Sequence, residues 1–337
     1  MENDRLEALA VVLEGVEKML IIPHNDPDPD AIASALALKH LLEQKFATSA
    51  QIAYRGMIGR EENKALVRYL GDPMTKLASN RLDTTLPIAL VDTQPNAGNN
   101  PLPPDVQAAI VIDHHPSNSS QPTAEFLDIR TEIGATATIL TEYLRAAEVE
   151  IPTPLATALF YGIKTDTMVL VRDVSADDKE AYFYLQTMVD VEALAQIEMA
   201  QVPAEYFKSL ATALQAIQLY DDLAIAYLGE LDYPDLGAEM ADLFQRLRGI
   251  SWVICMGVFD KEMIISVRSR SRRAGAGKLV RAIVSESGSA GGHGTMAAGH
   301  IPLSPDLPAE ELAKQLVQKA LHYLKGDDLP VSGEPLI

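Results

Sequence analysis

The chain contains the stretch Ala109-Ile110-Val111-Ile112-Asp113-His114-His115, in which four apolar residues lead directly into an aspartate and two histidines. A short apolar run of this kind is typical of a buried strand in a parallel sheet. Two similar runs come earlier: residues 19–22 precede His24-Asn25-Asp26-Pro27-Asp28-Pro29-Asp30, and residues 88–91 precede Asp92. Ligands of open α/β sheets bind outside the carboxyl ends of the strands, so all three clusters are predicted at one edge. Their carboxylates and imidazoles predict a site for divalent metals.

The apolar patterns around these runs alternate between strand and helix. One helix is predicted over residues 31–44, with Asp30 as its N-cap. Another is predicted over residues 154–161, closed by Gly162, so that Asp166 falls in the loop that follows. This alternation predicts an α/β fold whose N-terminal domain is a doubly wound, mostly parallel sheet.

The pattern changes in the second half of the chain, where a hairpin is predicted around Phe259-Asp260-Lys261-Glu262. We expect a catalytic domain over residues 1–190, a helical linker over residues 191–218 and a smaller α/β domain over residues 219–337. A cleft is expected between the two domains.

Composition limits the classes of function. The 337 residues are 47% hydrophobic, as in a globular protein, and contain no apolar run long enough to span a membrane. The single cysteine, Cys255, excludes an internal disulfide, and no signal peptide is recognised, so a cytoplasmic location is expected. The net charge of −19 argues against binding of long duplex DNA. Residues 261–281 nevertheless carry seven basic side chains and one acidic one, which indicates local anion binding.

The polar clusters suit phosphoryl transfer. Two divalent ions held close together can bind both the attacking and the leaving oxygen of a displacement at phosphorus. His24, Asp28 and Asp30 can reach two adjacent ions from one loop, because alternate residues of an extended segment point to opposite sides. In the second domain, Gly291-Gly292-His293 is either a flexible turn or a place where backbone amides approach a phosphate.

These motifs, in this order, resemble the DHH–DHHA1 phosphoesterase superfamily, which includes RecJ-like exonucleases, nano-RNA/pAp phosphatases and cyclic-dinucleotide phosphodiesterases. The signature triplet is Asp113-His114-His115, and residues 24–30 resemble the first motif. Asp92 resembles the second motif and Asp166 the fourth. Gly291-Gly292-His293 resembles the glycine-histidine motif of the C-terminal substrate-binding domain.

The resemblance implies a role for each of these residues. The implied ligands of two Mn²⁺ ions, with Mg²⁺ or Co²⁺ as alternatives, are His24, Asp28, Asp30, Asp92, His114 and Asp166, with Asp92 as the bridge. His115 would contact the scissile phosphate, and Asp113 would orient a histidine ligand. The implied substrate contacts are Arg268, Gly291, Gly292 and His293.

By the same resemblance, a hydroxide activated by the metals would attack the phosphorus of a short oligonucleotide, a linear dinucleotide such as pApA, or 3′-phosphoadenosine 5′-phosphate. Pyrophosphate or polyphosphate hydrolysis is an alternative, and a catalytically silent nucleotide-binding protein is another. Neither long duplex DNA nor a membrane is expected as a partner. The oligomeric state is left open, with a homodimer as one alternative.

Overall fold

The computed structural model describes residues 2–78, 82–116, 123–270, 275–326 and 332–337, and the chain divides into two compact units. The first unit spans Met1–Ala200 and the second Gln201–Ile337. The segment expected as a linker, residues 191–218, is helical but contributes one helix to each unit. Among the described residues, no helix has the length and apolar content needed to cross a membrane.

Within its described residues, the first unit is built on a sheet of six parallel strands. Its strands are β1 (Lys18–Pro23), β2 (Ser49–Tyr54), β3 (Met74–Lys76), β4 (Ile88–Val91), β5 (Ala108–Asp113) and β6 (Ala124–Ile129). Its helices are α1 (Glu2–Val12), α2 (Pro29–Lys45), α3 (Glu61–Tyr69), α4 (Thr136–Ala146), α5 (Thr153–Asp166), α6 (Ala176–Gln186) and α7 (Val191–Glu198). The strand order is β3-β2-β1-β4-β5-β6, the crossover order of a doubly wound fold. The predicted parallel α/β sheet is thereby confirmed.

The apolar runs are buried because both faces of the sheet are covered. Strands β4 and β5 are buried at every position. Met19 and Ile21 of β1 pack into the large core formed with the helices, whereas Leu20 and Ile22 pack into a smaller cluster on the other face. The strand order reverses between β1 and β4, which places a crevice at their carboxyl ends. His24 directly follows the end of β1, and Asp92 directly follows the end of β4.

Helix α2 begins earlier than predicted. Its N-cap is Asp28, whose Oδ1 accepts a hydrogen bond from the backbone N–H of Ala31 at 3.0 Å, and the prediction of Asp30 as N-cap is wrong. The reason is Pro29, whose fixed φ and missing N–H suit the first helical position. Asp30 therefore lies inside the first turn, where its side chain is not used as a cap.

Helix α5 ends later than predicted. It continues through Gly162 and ends at Asp166. The prediction that residues 164–167 form a loop is therefore wrong for residues 164–166, and Asp166 is the last residue of the helix. A Cβ at Gly162 would lie 3.0 Å from the Cα of Asp30. The glycine thus permits close packing of α5 against α2 instead of marking a helix end.

The described residues of the second unit form a mixed sheet of seven strands in the order β11-β12-β10-β9-β8-β7-β13. Its strands are β7 (Gln218–Tyr220), β8 (Leu223–Glu230), β9 (Trp252–Phe259), β10 (Glu262–Ser269), β11 (Ser289–His293), β12 (Met296–Pro302) and β13 (Glu334–Pro335). Its helices are α8 (Ala204–Ala216), α9 (Leu236–Phe244), α10 (Ala276–Val284) and α11 (Ala309–Lys325). The predicted hairpin is confirmed as β9–β10, with Asp260 and Lys261 at φ 44° and 66°, the positive values found at both central residues of a type I′ turn.

The glycine-histidine segment is a strand. Gly291 and Gly292 belong to β11, which pairs antiparallel with β12, so the alternative of a flexible turn at these residues is wrong. Gly292 has φ +124°, and a Cβ at Gly277 of α10 would lie 2.1 Å from the carbonyl oxygen of Gly292. Gly277 therefore allows α10 to pack closely against this edge strand, whereas Gly292 is required by its positive φ and by the close approach of Met296 and Ala297 of β12.

Candidate metal centre

The six residues predicted as metal ligands lie together at the carboxyl edge of the parallel sheet. In the described part of the chain, three groups place one potential ligand atom per residue within 4.8 Å of the others. The groups are His24, Asp28 and Asp92; Asp30, His114 and Asp166; and Asp92, His114 and His115. Asp92 and His114 each belong to two groups, so the groups are contiguous.

Backbone carbonyls fix the orientation of two histidine rings. The Nδ1 of His24 lies 2.7 Å from the carbonyl oxygen of Asn25, and that of His114 lies 3.1 Å from the carbonyl oxygen of Ile133. When Nδ1–H donates to a carbonyl, Nε2 carries the lone pair and can bind a metal. In both rings Nε2 points at carboxylates, and for His24 these are Asp28 at 3.7 Å and Asp92 at 3.5 Å.

The Nε2 atom of His114 shows that the donor set fits a divalent metal. This atom is buried and has no hydrogen-bond partner among the described residues. It faces Asp92 Oδ1 at 3.6 Å and Asp166 Oδ2 at 3.5 Å, distances too long for hydrogen bonds but compatible with three ligands around one cation. A buried polar atom left without a partner costs free energy, and a bound metal removes that cost.

Carboxylates are crowded at this edge. Burial raises the pKa of Asp30 well above its ordinary value, and the nearby charges of Asp92 and Asp166 raise it further. Burial and the charges of Asp28 and Asp92 likewise raise the pKa of Asp166. A divalent cation bound between these carboxylates would offset the repulsion between their negative charges.

Asp113 orients His115. Its Oδ1 lies 2.9 Å from His115 Nδ1 and accepts the backbone N–H of His114 at 2.8 Å, and its Oδ2 accepts from Gln94 Nε2 at 2.7 Å. Asp113 contacts the ring of His115, whereas the carbonyl oxygen of Ile133 contacts the ring of His114. The expected role of Asp113 in orienting a histidine ligand stays a prediction. Burial alone would lower the pKa of His115, but the hydrogen bond with Asp113 and neighbouring carboxylates raise it to about 9.

Sequence reasoning missed four residues that hold these side chains. They are Gln94, Ile133, Thr136 and Ala137, and each contacts a predicted ligand or catalytic residue. Three of these four contacts, those of Ile133, Thr136 and Ala137, are made by backbone atoms, which leave no residue-type signal. Thr136 begins α4, and a threonine at the start of a helix is too common to indicate a contact with a distant carboxylate.

The predicted substrate contacts lie in the second unit. The guanidinium of Arg268 is almost buried and pairs with Asp242 of α9, and it also donates to the carbonyl of Val267. Gly291 and Gly292 lie in the edge strand described above, whereas the side chain of His293 falls outside the described part of the structure. The substrate-binding role of these residues stays a prediction.

Residues 18–163 match the sequence model described as the DHH family, N-terminal domain. The chain therefore contains a DHH-family N-terminal domain over these residues. An uncharacterized protein of Methanocaldococcus jannaschii is 38% identical over 307 residues, which are 90% of this chain and 62% of that protein. The manganese-dependent inorganic pyrophosphatase of Bacillus subtilis is 27% identical over 237 residues, which are 68% of this chain and 76% of that enzyme.

The chain spans only part of some of these relatives. It covers 55% of a probable manganese-dependent inorganic pyrophosphatase of Lactobacillus gasseri, to which it is 32% identical over 185 residues, or 53% of its own length. A crystal structure of an exopolyphosphatase-related protein from Bacteroides fragilis matches with a TM-score of 0.75 and 16% identity. The matched region covers 95% of this chain and 96% of the Bacteroides fragilis protein, and this likeness supports the α/β fold of both units.

Proposed function

We propose that the chain is a phosphohydrolase that depends on two Mn²⁺ ions. The observation that carries this proposal is the buried, unpartnered Nε2 of His114, aimed between the carboxylates of Asp92 and Asp166. The residues that would hold the ions are His24, Asp28, Asp30, Asp92, His114 and Asp166. When bound, divalent ions supply an activated water and neutralise charge that develops on phosphate oxygens.

Asp92 is suited to bridge the two ions because its oxygens face different histidines. Its Oδ2 lies 3.5 Å from His24 Nε2, and its Oδ1 lies 3.6 Å from His114 Nε2. Burial alone would raise its pKa, but the neighbouring imidazoles of His24, His115 and His114 hold the pKa below its ordinary value. Asp92 therefore stays ionised, as a bridging ligand must.

His115 is suited to contact the phosphate. Its side chain is 44% exposed, whereas that of His114 is only 6% exposed. The hydrogen bond to Asp113 fixes the ring at the rim of the centre, where an imidazole can donate to an anionic oxygen. We assign His115 to substrate contact, with Asp113 holding the ring in place.

The substrates we favour are very short oligoribonucleotides, linear dinucleotides such as pApA, and 3′-phosphoadenosine 5′-phosphate. The basic residues in 261–281 and the two glycines of β11 support a nucleotide-binding role for the second unit, and the net charge of −19 opposes long duplex DNA. Pyrophosphate hydrolysis is a second candidate, because manganese-dependent pyrophosphatases align with about half to two thirds of this chain.

A substrate panel in the presence of Mn²⁺ tests the proposal. We expect kcat/KM for pApA, 3′-phosphoadenosine 5′-phosphate or short RNA to exceed that for pyrophosphate by about tenfold or more, because contacts beyond the reacting phosphate favour the larger substrate. Short DNA and polyphosphate complete the panel. Faster hydrolysis of pyrophosphate would favour the second candidate. No hydrolysis of any compound with Mn²⁺, Mg²⁺ or Co²⁺ would contradict the assignment as an enzyme.

Arg268→Ala should lower kcat/KM for a nucleotide substrate by roughly ten- to a hundredfold, mainly through KM. The reason is the loss of a charge-assisted hydrogen bond, worth roughly 1.5–3 kcal/mol. Steady-state kinetics with pApA and with a small chromogenic phosphodiester measures the effect, and the small substrate should be much less affected.

Asp242→Asn is the control for that prediction, because it removes the charge paired with Arg268 but keeps the arginine. If Arg268 binds substrate, Asp242→Asn should retain or improve the nucleotide KM. If both variants lower thermal stability and neither changes KM, Arg268 serves only to pack α9 against β10, and its assignment to substrate is wrong.

A further inference from the structure

The segment over residues 133–137, here called the positioning loop, holds three of the proposed metal ligands. The carbonyl oxygen of Ile133 lies 3.1 Å from Nδ1 of His114. The backbone N–H groups of Thr136 and Ala137, at the start of α4, donate to the two oxygens of Asp30 at 2.7 Å each. Asp30 is thus held by both oxygens at a helix N-terminus, where a carboxylate is favoured.

The third contact is made by a side chain. The hydroxyl of Thr136 donates to Oδ1 of Asp92 at 2.8 Å, and both residues are almost completely buried. This is the oxygen that faces His114, whereas Oδ2 faces His24. A hydrogen bond to one oxygen fixes the rotation of the carboxylate, and with it the direction of both oxygens.

The positioning loop is itself anchored to α6. Asp178 accepts the N–H of Gly134 at 2.8 Å through Oδ2 and the hydroxyl of Thr138 at 2.6 Å through Oδ1. A Cβ at Gly134 would lie 2.8 Å from the carbonyl oxygen of Asp173, so the loop fits its surroundings closely. Protein contacts alone therefore hold the positioning loop in place.

We propose that Thr136 is a positioning residue, whose hydroxyl orients the bridging carboxylate of Asp92 so that its two oxygens serve two ions. This inference rests on the proposed two-metal function. Groups that hydrogen-bond to metal ligands raise metal affinity by orienting them before the metal arrives, and their loss costs about 10- to 100-fold in affinity or activity. Thr136 makes such a contact at the residue shared by both ions.

Thr136→Val tests the inference, because it keeps the side-chain shape and removes the hydroxyl. Helix α4 offers a matched control in Thr141, which is equally buried and donates its hydroxyl to the carbonyl of Ala137 at 2.7 Å. We expect Thr136→Val to weaken Mn²⁺ binding by about 10- to 100-fold, measured by titration calorimetry or Mn²⁺ EPR without substrate. Thr141→Val should bind Mn²⁺ as the wild type does. At saturating substrate, kcat of Thr136→Val should fall while KM changes little.

A second pair of variants protects the test against poor folding of Thr136→Val. Thr136→Ser and Thr136→Ala both lack the methyl group and differ in the hydroxyl, so only the serine should restore Mn²⁺ affinity. If Thr136→Val and Thr141→Val bind Mn²⁺ equally well, or if serine and alanine behave alike, the inference is overturned while the metal centre stands. If the wild type binds no Mn²⁺, the proposed function fails and the inference fails with it.

Discussion

Asp92→Asn should abolish hydrolysis, with kcat lowered by about 10⁴-fold or more, as is observed when a member of a cooperating catalytic group is removed. The substitution preserves size but replaces a carboxylate oxygen with an amide N–H, which repels a cation. Because Asp92 belongs to two of the three donor groups, the change affects both proposed ions at once. Among the described carboxylates, only Asp92 directs one oxygen at His24 and the other at His114, so the loss of an oxygen there affects both sides of the centre.

Asp26→Asn is the matched control. Asp26 and Asp92 both follow parallel strands, and both have left-handed backbones, with φ 55° and 59°. Asparagine tolerates this conformation, so neither substitution introduces backbone strain. Asp26 Oδ1 accepts the backbone N–H of Met57 at 2.6 Å and lies outside the three donor groups.

Initial rates with Mn²⁺, combined with circular dichroism to verify folding, compare the two variants. We expect Asp26→Asn to retain a rate close to that of the wild type. Comparable losses in both folded variants would contradict the choice of ligands from the first motif.

The parallel sheet and the ligand residues could be predicted because their signals are local. A strand covered on both faces must be continuously apolar, as in residues 109–112, and the polar residues that follow must lie at the carboxyl edge. The same reasoning placed His24, Asp92 and His114 at one edge without any knowledge of strand order.

The errors arose where a residue type has two physical uses. Gly162 was expected to end a helix, but the close approach of Asp30 requires a glycine there. Asp30 was expected to cap α2, but its oxygens are held by Thr136 and Ala137, more than 100 residues away. Contacts of this kind depend on tertiary packing, and a single sequence carries no local signal for them.

Mn²⁺ should raise the melting temperature of the first unit, and exhaustive chelation should abolish hydrolysis until metal is restored. A ligand present at 100 times its Kd stabilises the folded state by about 2.7 kcal/mol per site, which corresponds to roughly 5–10 °C in a domain of this size. Differential scanning calorimetry of the whole chain measures the shift. Asp26→Asn should show the same shift as the wild type, and Asp92→Asn should lose most of it.

The stabilisation by Mn²⁺ should also increase with pH. In the metal-free protein the pKa values of Asp30 and Asp166 are raised, so the folded state binds these protons more tightly than the unfolded state. The metal-free protein is therefore destabilised as the pH rises through those pKa values. Mn²⁺ binds the ionised carboxylates and competes with the protons, so the shift in melting temperature should become larger as the pH rises through the raised pKa values of Asp30 and Asp166. A shift independent of pH, or hydrolysis that survives chelation, would contradict binding of the metal by these carboxylates.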